Sequence, residues 1–227
     1  MKILSTLIAA GIFTAAASMN AQMSPEVRDA MTPDDVVEAL MKGNANYVAN
    51  DISESEIPTR IEKTSTGQYP MAYILSCVDS RVPPELVFDQ GIGDLFVGRV
   101  AGNSENVDQL GSMEFATAVA GSKVIMVLGH SACGAIKGAC DGVELGNLTE
   151  LLDSLEPAVE AVQGVPADQR NSSNIDFVND VAKTNVQMTM ERILSRSPVL
   201  KELVDNGDIK IVGGFYDLNT GKVEPIQ

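Results

Sequence analysis

The sequence of 227 residues has no tryptophan, a single histidine, three cysteines and only 4% aromatic residues. Three cysteines cannot build a disulfide scaffold, so the fold must rest on a hydrophobic core, which a chain of this length can bury as one domain. Basic residues are also scarce: 16 Lys and Arg stand against 31 Asp and Glu, for a formal net charge of −15. Such a surface repels nucleic acid and anionic membranes, so we expect neither as a partner.

A long hydrophobic run stands at the N-terminus, where Lys2 is followed by the apolar stretch Ile3–Ala17 and then by small residues. A run of about 15 residues is too short to span a bilayer comfortably. The three-part pattern is typical of a secretory signal peptide, which we predict over residues 1–21. We expect residues 22–227 to be one domain that is exported without a membrane anchor, to the periplasm or as a secreted protein.

Short apolar runs alternate with amphipathic segments along the rest of the chain. The predicted buried strands are Met71–Val78, Asp94–Ala101, Lys123–Gly129 and Asp208–Gly213. The predicted helices are Val107–Ala120, Ala132–Cys140, Thr149–Val162 and Ile175–Ser195, and an edge hairpin is predicted over Phe215–Glu224. This alternation predicts an α/β fold with a central, mostly parallel β-sheet flanked by helices.

Residues 22–60 precede the first strand and are predicted to form a helical arm and a connector. Thr32 is a typical N-cap, and Pro33 suits the first position of a helix. Apolar residues then recur at helical spacing up to Met41. The polar stretch Ser53–Gln68 is predicted to connect this arm to the sheet.

Metal-binding side chains follow two of the predicted strands. Cys77 ends the first strand, and His130 and Cys133 follow the third. Functional sites of parallel α/β folds lie at the carboxyl ends of strands, so these residues are expected to meet. Two thiolates and an imidazole suit zinc with its fourth position open to water. Taken singly, the histidine could be a core residue, and the cysteines could be buried hydrophobes or a disulfide.

Two stretches carry specific motifs about fifty residues apart: SCVDSRVPPELVFDQGIGDLFVGRVAGN and VLGHSACGAIKG. Through C-x-D-x-R and G-H-x-x-C-G, the chain from about Val36 onward resembles the β-class carbonic anhydrases. The resemblance implies one Zn²⁺ per subunit, held by Cys77, His130 and Cys133. It also implies the reversible hydration of carbon dioxide to bicarbonate and a proton by zinc-bound hydroxide, since zinc lowers the pKa of bound water to about 7.

The same resemblance assigns catalytic roles to Asp79 and Arg81. Asp79 is expected to accept the hydrogen of the hydroxide, and Arg81 to orient Asp79 through a bidentate pair. Some members of the family close their site by binding this aspartate to zinc, which makes Asp79 a candidate fourth ligand.

The residues that the resemblance places in the substrate pocket are Gln68, Phe96, Ala101, Phe115 and Gly134. Gln68 and Phe96 match the plant-like open form of the family, with Gln68 expected to donate a hydrogen bond to bicarbonate. Phe115 departs from that form, which has a tyrosine there. The closing form has a tryptophan at the position of Ile74. The sequence therefore favours the open form.

Family resemblance further implies a homodimer or a higher even oligomer, in which residues 24–50 embrace a neighbouring subunit. Two alternative functions remain at this point. One is a hydrolase of carbon disulfide or carbonyl sulfide on the same scaffold, and the other is a non-catalytic zinc or thiol module with Cys77 and Cys133 in a disulfide. Cys140 is predicted to be a buried free thiol, with a redox role or an intermolecular disulfide as the alternative.

Overall fold

The structure, a computed structural model, describes residues 23–53 and 56–226, and the signal peptide predicted over residues 1–21 lies outside these ranges. The strands are β1 (Ala72–Ser76), β2 (Leu95–Arg99), β3 (Val124–His130), β4 (Lys210–Tyr216) and β5 (Val223–Ile226). The helices are α1 (Pro25–Ala30), α2 (Pro33–Ala49), α3 (Ile57–Thr64), α4 (Pro84–Val87), α5 (Val107–Glu114), α6 (Gly134–Cys140), α7 (Asn147–Asp153), α8 (Glu156–Ala161), α9 (Ile175–Arg196) and α10 (Pro198–Asp205). Short 3₁₀ turns cover Ala101–Asn103 and Ala167–Gln169, and a π-helical turn, Phe115–Val119, extends α5.

The strands form one sheet in the order β2-β1-β3-β4-β5. The first four are parallel to one another, and β5 pairs antiparallel to β4 at the edge. The predicted α/β fold with a mostly parallel sheet is therefore confirmed. Because β1 and β3 are neighbours, their carboxyl ends lie side by side, which is where the site residues were expected to meet.

Both faces of the sheet are buried, as expected for parallel strands without polar alternation. Helix α2 covers one face, which presents Ala72, Ile74, Val124, Met126 and Leu128. Helices α5, α9 and α10 cover the other face, which presents Tyr73, Leu75, Ile125 and Val127. A separate apolar cluster joins α6, α7, α8 and the start of α9 around the carboxyl ends of the central strands.

Helix α2 begins where the sequence predicts. The Thr32 hydroxyl accepts a hydrogen bond from the Asp35 backbone N–H, and the Asp35 carboxylate accepts one from the Thr32 N–H, so both ends of a capping box are made. Val36 and Leu40 of this helix are fully buried in the core of their own chain. The embrace of a neighbouring subunit by residues 24–50 remains a prediction.

Two predicted segments differ in the structure, and α4 and α10 lie where no element was predicted. The predicted helix Thr149–Val162 is broken into α7 and α8, because Pro157 lacks the N–H that would bond to the carbonyl of Asp153. The predicted connector Ser53–Gln68 contains the helix α3, whose Arg60 forms a buried ion pair with Asp94 at 2.7 Å.

The predicted hairpin is present, although its first arm is the end of β4 itself. The turn between β4 and β5 closes with hydrogen bonds from Asp217 to Lys222 and from Gly221 to Asp217. Across the described residues, none of the helices has the length and apolar composition needed to cross a membrane.

Candidate metal centre

Two cysteines and the single histidine of the chain converge at the carboxyl ends of β1 and β3. Cys77 directly follows β1, His130 is the last residue of β3, and Cys133 immediately precedes α6. Their sulfur and imidazole nitrogen atoms lie within 4.8 Å of one another, and all three residues are buried. The structure thus brings together the three residues that were predicted from the sequence to be metal ligands.

The spacing of the two sulfur atoms suits a metal better than a disulfide. Cys77 Sγ and Cys133 Sγ are 4.0 Å apart. Two thiolates on a tetrahedral zinc ion, each about 2.3 Å from it, would be roughly 3.8 Å apart. A disulfide would need about 2.05 Å. Both residues are free thiols in the structure.

His130 directs its Nε2 atom toward the two sulfur atoms. Its Nδ1 lies 3.0 Å from the backbone oxygen of Ser131. A carbonyl oxygen can only accept, so Nδ1 carries the proton and Nε2 is left with its lone pair. Nε2 is buried and has no hydrogen-bond partner among the described residues. A buried lone pair beside two thiols is the arrangement that a zinc ion would satisfy.

The two thiols share one negative charge in the metal-free pair. The hydrogen bond from Cys133 lowers the pKa of Cys77 to about 4, against the opposing effect of burial, and the Gly102 N–H adds to the lowering. The pKa of Cys133 is raised, because its hydrogen bond to Cys77, burial and the adjacent negative sulfur all favour its protonated form. A divalent cation would allow both to ionise, since a coordinating thiol loses its proton outright.

Asp79 and Arg81 stand at the rim of the cluster as a bidentate pair. Arg81 Nε donates to Asp79 Oδ1 at 2.9 Å, and Arg81 Nη2 donates to Oδ2 at 2.7 Å. The Arg81 backbone N–H also donates to Oδ1. These bonds, the guanidinium contact first, hold the pKa of Asp79 well below its usual range. Asp79 Oδ2 lies 3.9 Å from His130 Nε2, so a carboxylate that is ionised at neutral pH faces the metal position.

Sequence reasoning missed Arg99, which supports this loop from the end of β2. Its Nε donates to the carbonyl of Cys77 at 2.9 Å, and its Nη2 donates to the carbonyl of Asp79. A basic residue that ends an apolar strand beside the site was the available signal. Two asparagines of α9 were missed as well. Asn179 accepts from the backbone N–H of Ala132, and Asn185 donates to the carbonyl of Gly102.

The residues assigned to the substrate pocket lie in three places. Ala101 and Gly134 lie next to the cluster, since Ala101 begins the turn whose Gly102 N–H contacts Cys77 and Gly134 follows Cys133. Phe96 and Phe115 instead pack edge to face with ring centroids 6.0 Å apart. Gln68 is exposed.

The two phenylalanines line a cavity of about 740 Å³ along β2 and α5. Cys77, His130 and Cys133 are not among the residues that line it. Phe115 is 51% exposed in the single chain, and Val107 and Val119 nearby are 74% exposed. The metal ligands of one chain are therefore not part of the wall of this cavity, although Arg99, which lines it, bonds the loop that carries Cys77 and Asp79.

The third cysteine takes no part in the cluster. Cys140 is a half-buried free thiol at the end of α6, and burial, then the charge of Asp141, raise its pKa to about 11. Such a thiol is protonated at neutral pH and unreactive.

Fold and cluster together define a zinc metalloprotein with its centre at the carboxyl edge of a parallel sheet. Residues 72–223 match a family model described as carbonic anhydrase. The chain is 32% identical over 190 residues to carbonic anhydrase 2 of Mycobacterium tuberculosis, covering 81% of this chain and 88% of that one. It is 31% identical to a carbonic anhydrase of Mycolicibacterium smegmatis over 82% of this chain and 89% of the relative.

Solved structures give the same assignment. One of the two tetrameric β-carbonic anhydrases from Sordaria macrospora superposes with a TM-score of 0.65 at 26% identity, covering 85% of this chain and 97% of that one. The chain belongs to the carbonic anhydrase family, in its β class. The zinc cofactor expected from the sequence agrees with this membership and with the buried Cys–His–Cys cluster.

Proposed function

We propose that the pocket at Cys77, His130 and Cys133 catalyses the reversible hydration of carbon dioxide to bicarbonate and a proton. The observation that carries this proposal is the convergence of two thiols and one imidazole lone pair within 4.8 Å, with the Asp79 carboxylate 3.9 Å from that imidazole. A zinc ion held by these three residues supplies a Lewis acid that lowers the pKa of water from 15.7 to about 7.

The contribution of Asp79 is to accept a hydrogen bond from the attacking water or hydroxide. An ionised carboxylate only accepts hydrogen bonds, so it selects one orientation of the nucleophile and leaves a lone pair for carbon dioxide. Arg81 acts through Asp79, as it occupies both carboxylate oxygens and sets the plane of the group. Arg99 fixes the backbone of the same loop at the carbonyls of Cys77 and Asp79.

The site is proposed to work in the open form. Both oxygens of Asp79 are engaged by Arg81, which opposes rotation of the carboxylate onto the metal. In a closed form Asp79 would become the fourth ligand. The absence of the bulky tryptophan of the closing form, with Ile74 in its place, supports the same choice.

The substrate pocket is proposed to be completed between subunits of a homodimer or a higher even oligomer. In support, Phe96 and Phe115 form an apolar face that is half-open in one chain and lies apart from that chain's own metal ligands. Packing of this face against another subunit would place Phe96 and Phe115 beside the zinc site of that subunit, where they and Ala101 would form an apolar slot for carbon dioxide. Gln68 would donate a hydrogen bond to bicarbonate, and the backbone N–H groups at Gly134 would help to position Cys133. The related β-carbonic anhydrases of Sordaria macrospora are described as tetrameric.

Export to the periplasm, or beyond the cell, is proposed from the N-terminal pattern alone. Lys2, the apolar stretch Ile3–Ala17 and the small residues after it support a cleaved signal peptide. Fractionation of the native host, with N-terminal sequencing of the purified protein, tests this: a mature N-terminus near residue 22 is expected, and an intact cytosolic Met1 contradicts it.

The proposed activity is tested by stopped-flow carbon dioxide hydration on zinc-loaded protein from about pH 6.5 to about 9, which brackets the expected ionisation near 7. Cys133→Ser should lose zinc and activity together. Cys140→Ser is the matched control, since it removes a thiol outside the cluster and should retain both. A zinc-loaded wild type without carbon dioxide hydration contradicts the proposal. Turnover of carbon disulfide or carbonyl sulfide in the same preparation would then identify the alternative substrate.

A further inference from the structure

A buried amide of α9 reaches the loop that contacts one of the metal ligands. Asn185 is fully buried, and its Nδ2 donates to the carbonyl of Gly102 at 2.7 Å. The backbone N–H of Gly102 in turn donates to Cys77 Sγ at 3.4 Å. Asn185 thus fixes the position of Gly102, whose backbone N–H faces the sulfur of Cys77. The two bonded residues are 83 positions apart in the sequence.

The turn that carries this amide has a backbone conformation that few residue types adopt. Gly102 has a φ of +75°, which L side chains rarely adopt, and a Cβ there would lie 2.7 Å from Leu155 Cδ1. The next residue, Asn103, also has a positive φ of 46°. Glycine and asparagine are the residue types that tolerate this left-handed region, so the local sequence permits the turn and contacts from other elements hold it in place. The Asn185 hydrogen bond is such a contact.

Packing alone does not explain an asparagine at position 185. Its neighbours on the buried face of α9, Val181, Ala182 and Val186, are apolar. Its Oδ1 is buried and has no hydrogen-bond partner among the described residues. A buried acceptor without a partner is destabilising, and an apolar side chain of similar size would avoid the cost. The hydrogen bond that Asn185 Nδ2 donates to the carbonyl of Gly102 therefore explains the asparagine better.

From this geometry we infer that Asn185 is a positioning residue for the metal centre, acting through Gly102 on Cys77. This inference rests on the proposed zinc site and deepens it. An N–H donated to a thiolate sulfur withdraws charge from it, so the sulfur donates less to the metal and the metal remains a stronger Lewis acid. Partners of this outer kind commonly change metal affinity or activity by about 10- to 100-fold when removed.

The test uses Asn185→Leu in the full-length protein, because leucine keeps the volume and removes the donor. We expect a tenfold or larger change in zinc affinity, measured by competition with a chromophoric chelator. We also expect a shifted sulfur-to-metal charge-transfer band in the Co²⁺-substituted protein. Neither readout requires carbon dioxide hydration, so failure of this inference and failure of the proposed activity are distinguishable.

Thr189→Val is the matched control, since Thr189 is equally buried one turn further along α9 and bonds Arg192 rather than the metal loop. It should leave zinc affinity and the Co²⁺ spectrum unchanged. If Asn185→Leu does not fold, Asn185→Ala removes the same donor without adding bulk and takes its place. Wild-type zinc affinity and Co²⁺ spectrum in the Asn185 variant would overturn the inference, as would equal changes in the Thr189 variant.

Discussion

Replacement of Arg81 by glutamine separates the orientation of Asp79 from its charge. The substitution removes the guanidinium charge and the Nη2 hydrogen bond at 2.7 Å, and the glutamine amide can replace only the Nε bond at 2.9 Å, so the bidentate pair is lost while the backbone N–H bond of residue 81 to Asp79 stays in place. The pKa of Asp79 then rises toward its ordinary value of about 3.9. Asp79 therefore stays ionised at neutral pH, and any loss of activity there comes from the position of the carboxylate.

The structure sets the expected magnitudes of this change. The Arg81 side chain is 58% exposed, so the ion pair is screened by solvent and its loss should destabilise the fold only slightly, with a fall in Tm of at most a few degrees. The effect on catalysis should be larger, because a misplacement of about 1 Å in a reacting group can cost on the order of 100-fold in rate. We expect kcat/KM to fall about 10- to 100-fold with zinc content unchanged.

The pH dependence of stability gives a second readout with a definite sign. A carboxyl group whose pKa is depressed in the folded state contributes stability above its unfolded pKa, and that contribution is lost as the pH falls through the folded value. The wild type should therefore exceed Arg81→Gln in stability at pH 7. The difference should shrink as the pH falls below about 4, where Asp79 of the unfolded chain is protonated.

Stopped-flow hydration, metal analysis and thermal unfolding measure these three effects on the same samples. Arg196→Gln is the matched control, because Arg196 is also a partly exposed arginine paired with a carboxylate, that of Glu105, away from the metal ligands. Its stability should fall by at least as much, because Glu105 is buried, and its kcat/KM should not change. Equal kcat/KM values for the two variants would refute the role given to Arg81.

Three further predictions concern the scaffold. Gly43→Ala should destabilise the fold by about 1–3 kcal/mol in urea unfolding, because a Cβ on α2 would lie 1.9 Å from the backbone oxygen of Phe88; unchanged unfolding would show that α2 packs elsewhere. Arg192→Leu leaves the buried Glu105 carboxylate with Arg196 alone and should cost about 3 kcal/mol by chemical denaturation; a neutral effect would mean that Arg196 suffices. Removal of zinc by a chelator should lower Tm, and added zinc should restore it, since a ligand that binds the folded state stabilises it; identical melting curves would contradict a metal bound at the cluster.

The metal ligands were predictable because their placement follows from topology. Parallel strands place their carboxyl ends at one edge, so Cys77 and His130 had to be near each other once β1 and β3 were neighbours. Cys133 follows within three residues of His130. The break before Pro157 was also readable in the sequence, because a proline inside a predicted helix lacks the N–H of a regular turn.

The supports of the site were not predictable in the same way. Asn185 is separated from Gly102 by 83 positions. Its partner is a backbone carbonyl, which every residue has, so no side-chain pattern in the sequence indicates the bond. The split between the metal cluster and the Phe96–Phe115 face is likewise a property of the folded surface. Helix α3 was missed because most of its residues are polar, and its position depends on the distant ion pair between Arg60 and Asp94.

The antiparallel strand β5 bears on how the protein behaves at high concentration. An open sheet edge offers unpaired N–H and C=O groups to other chains, and a proline there removes a donor. Strand β5 is only four residues long and contains Pro225, with Glu224 beside it. This edge is therefore a poor template for intermolecular strand addition. Replacement of Pro225 by threonine would restore the missing donor and should make the protein more prone to edge-to-edge aggregation.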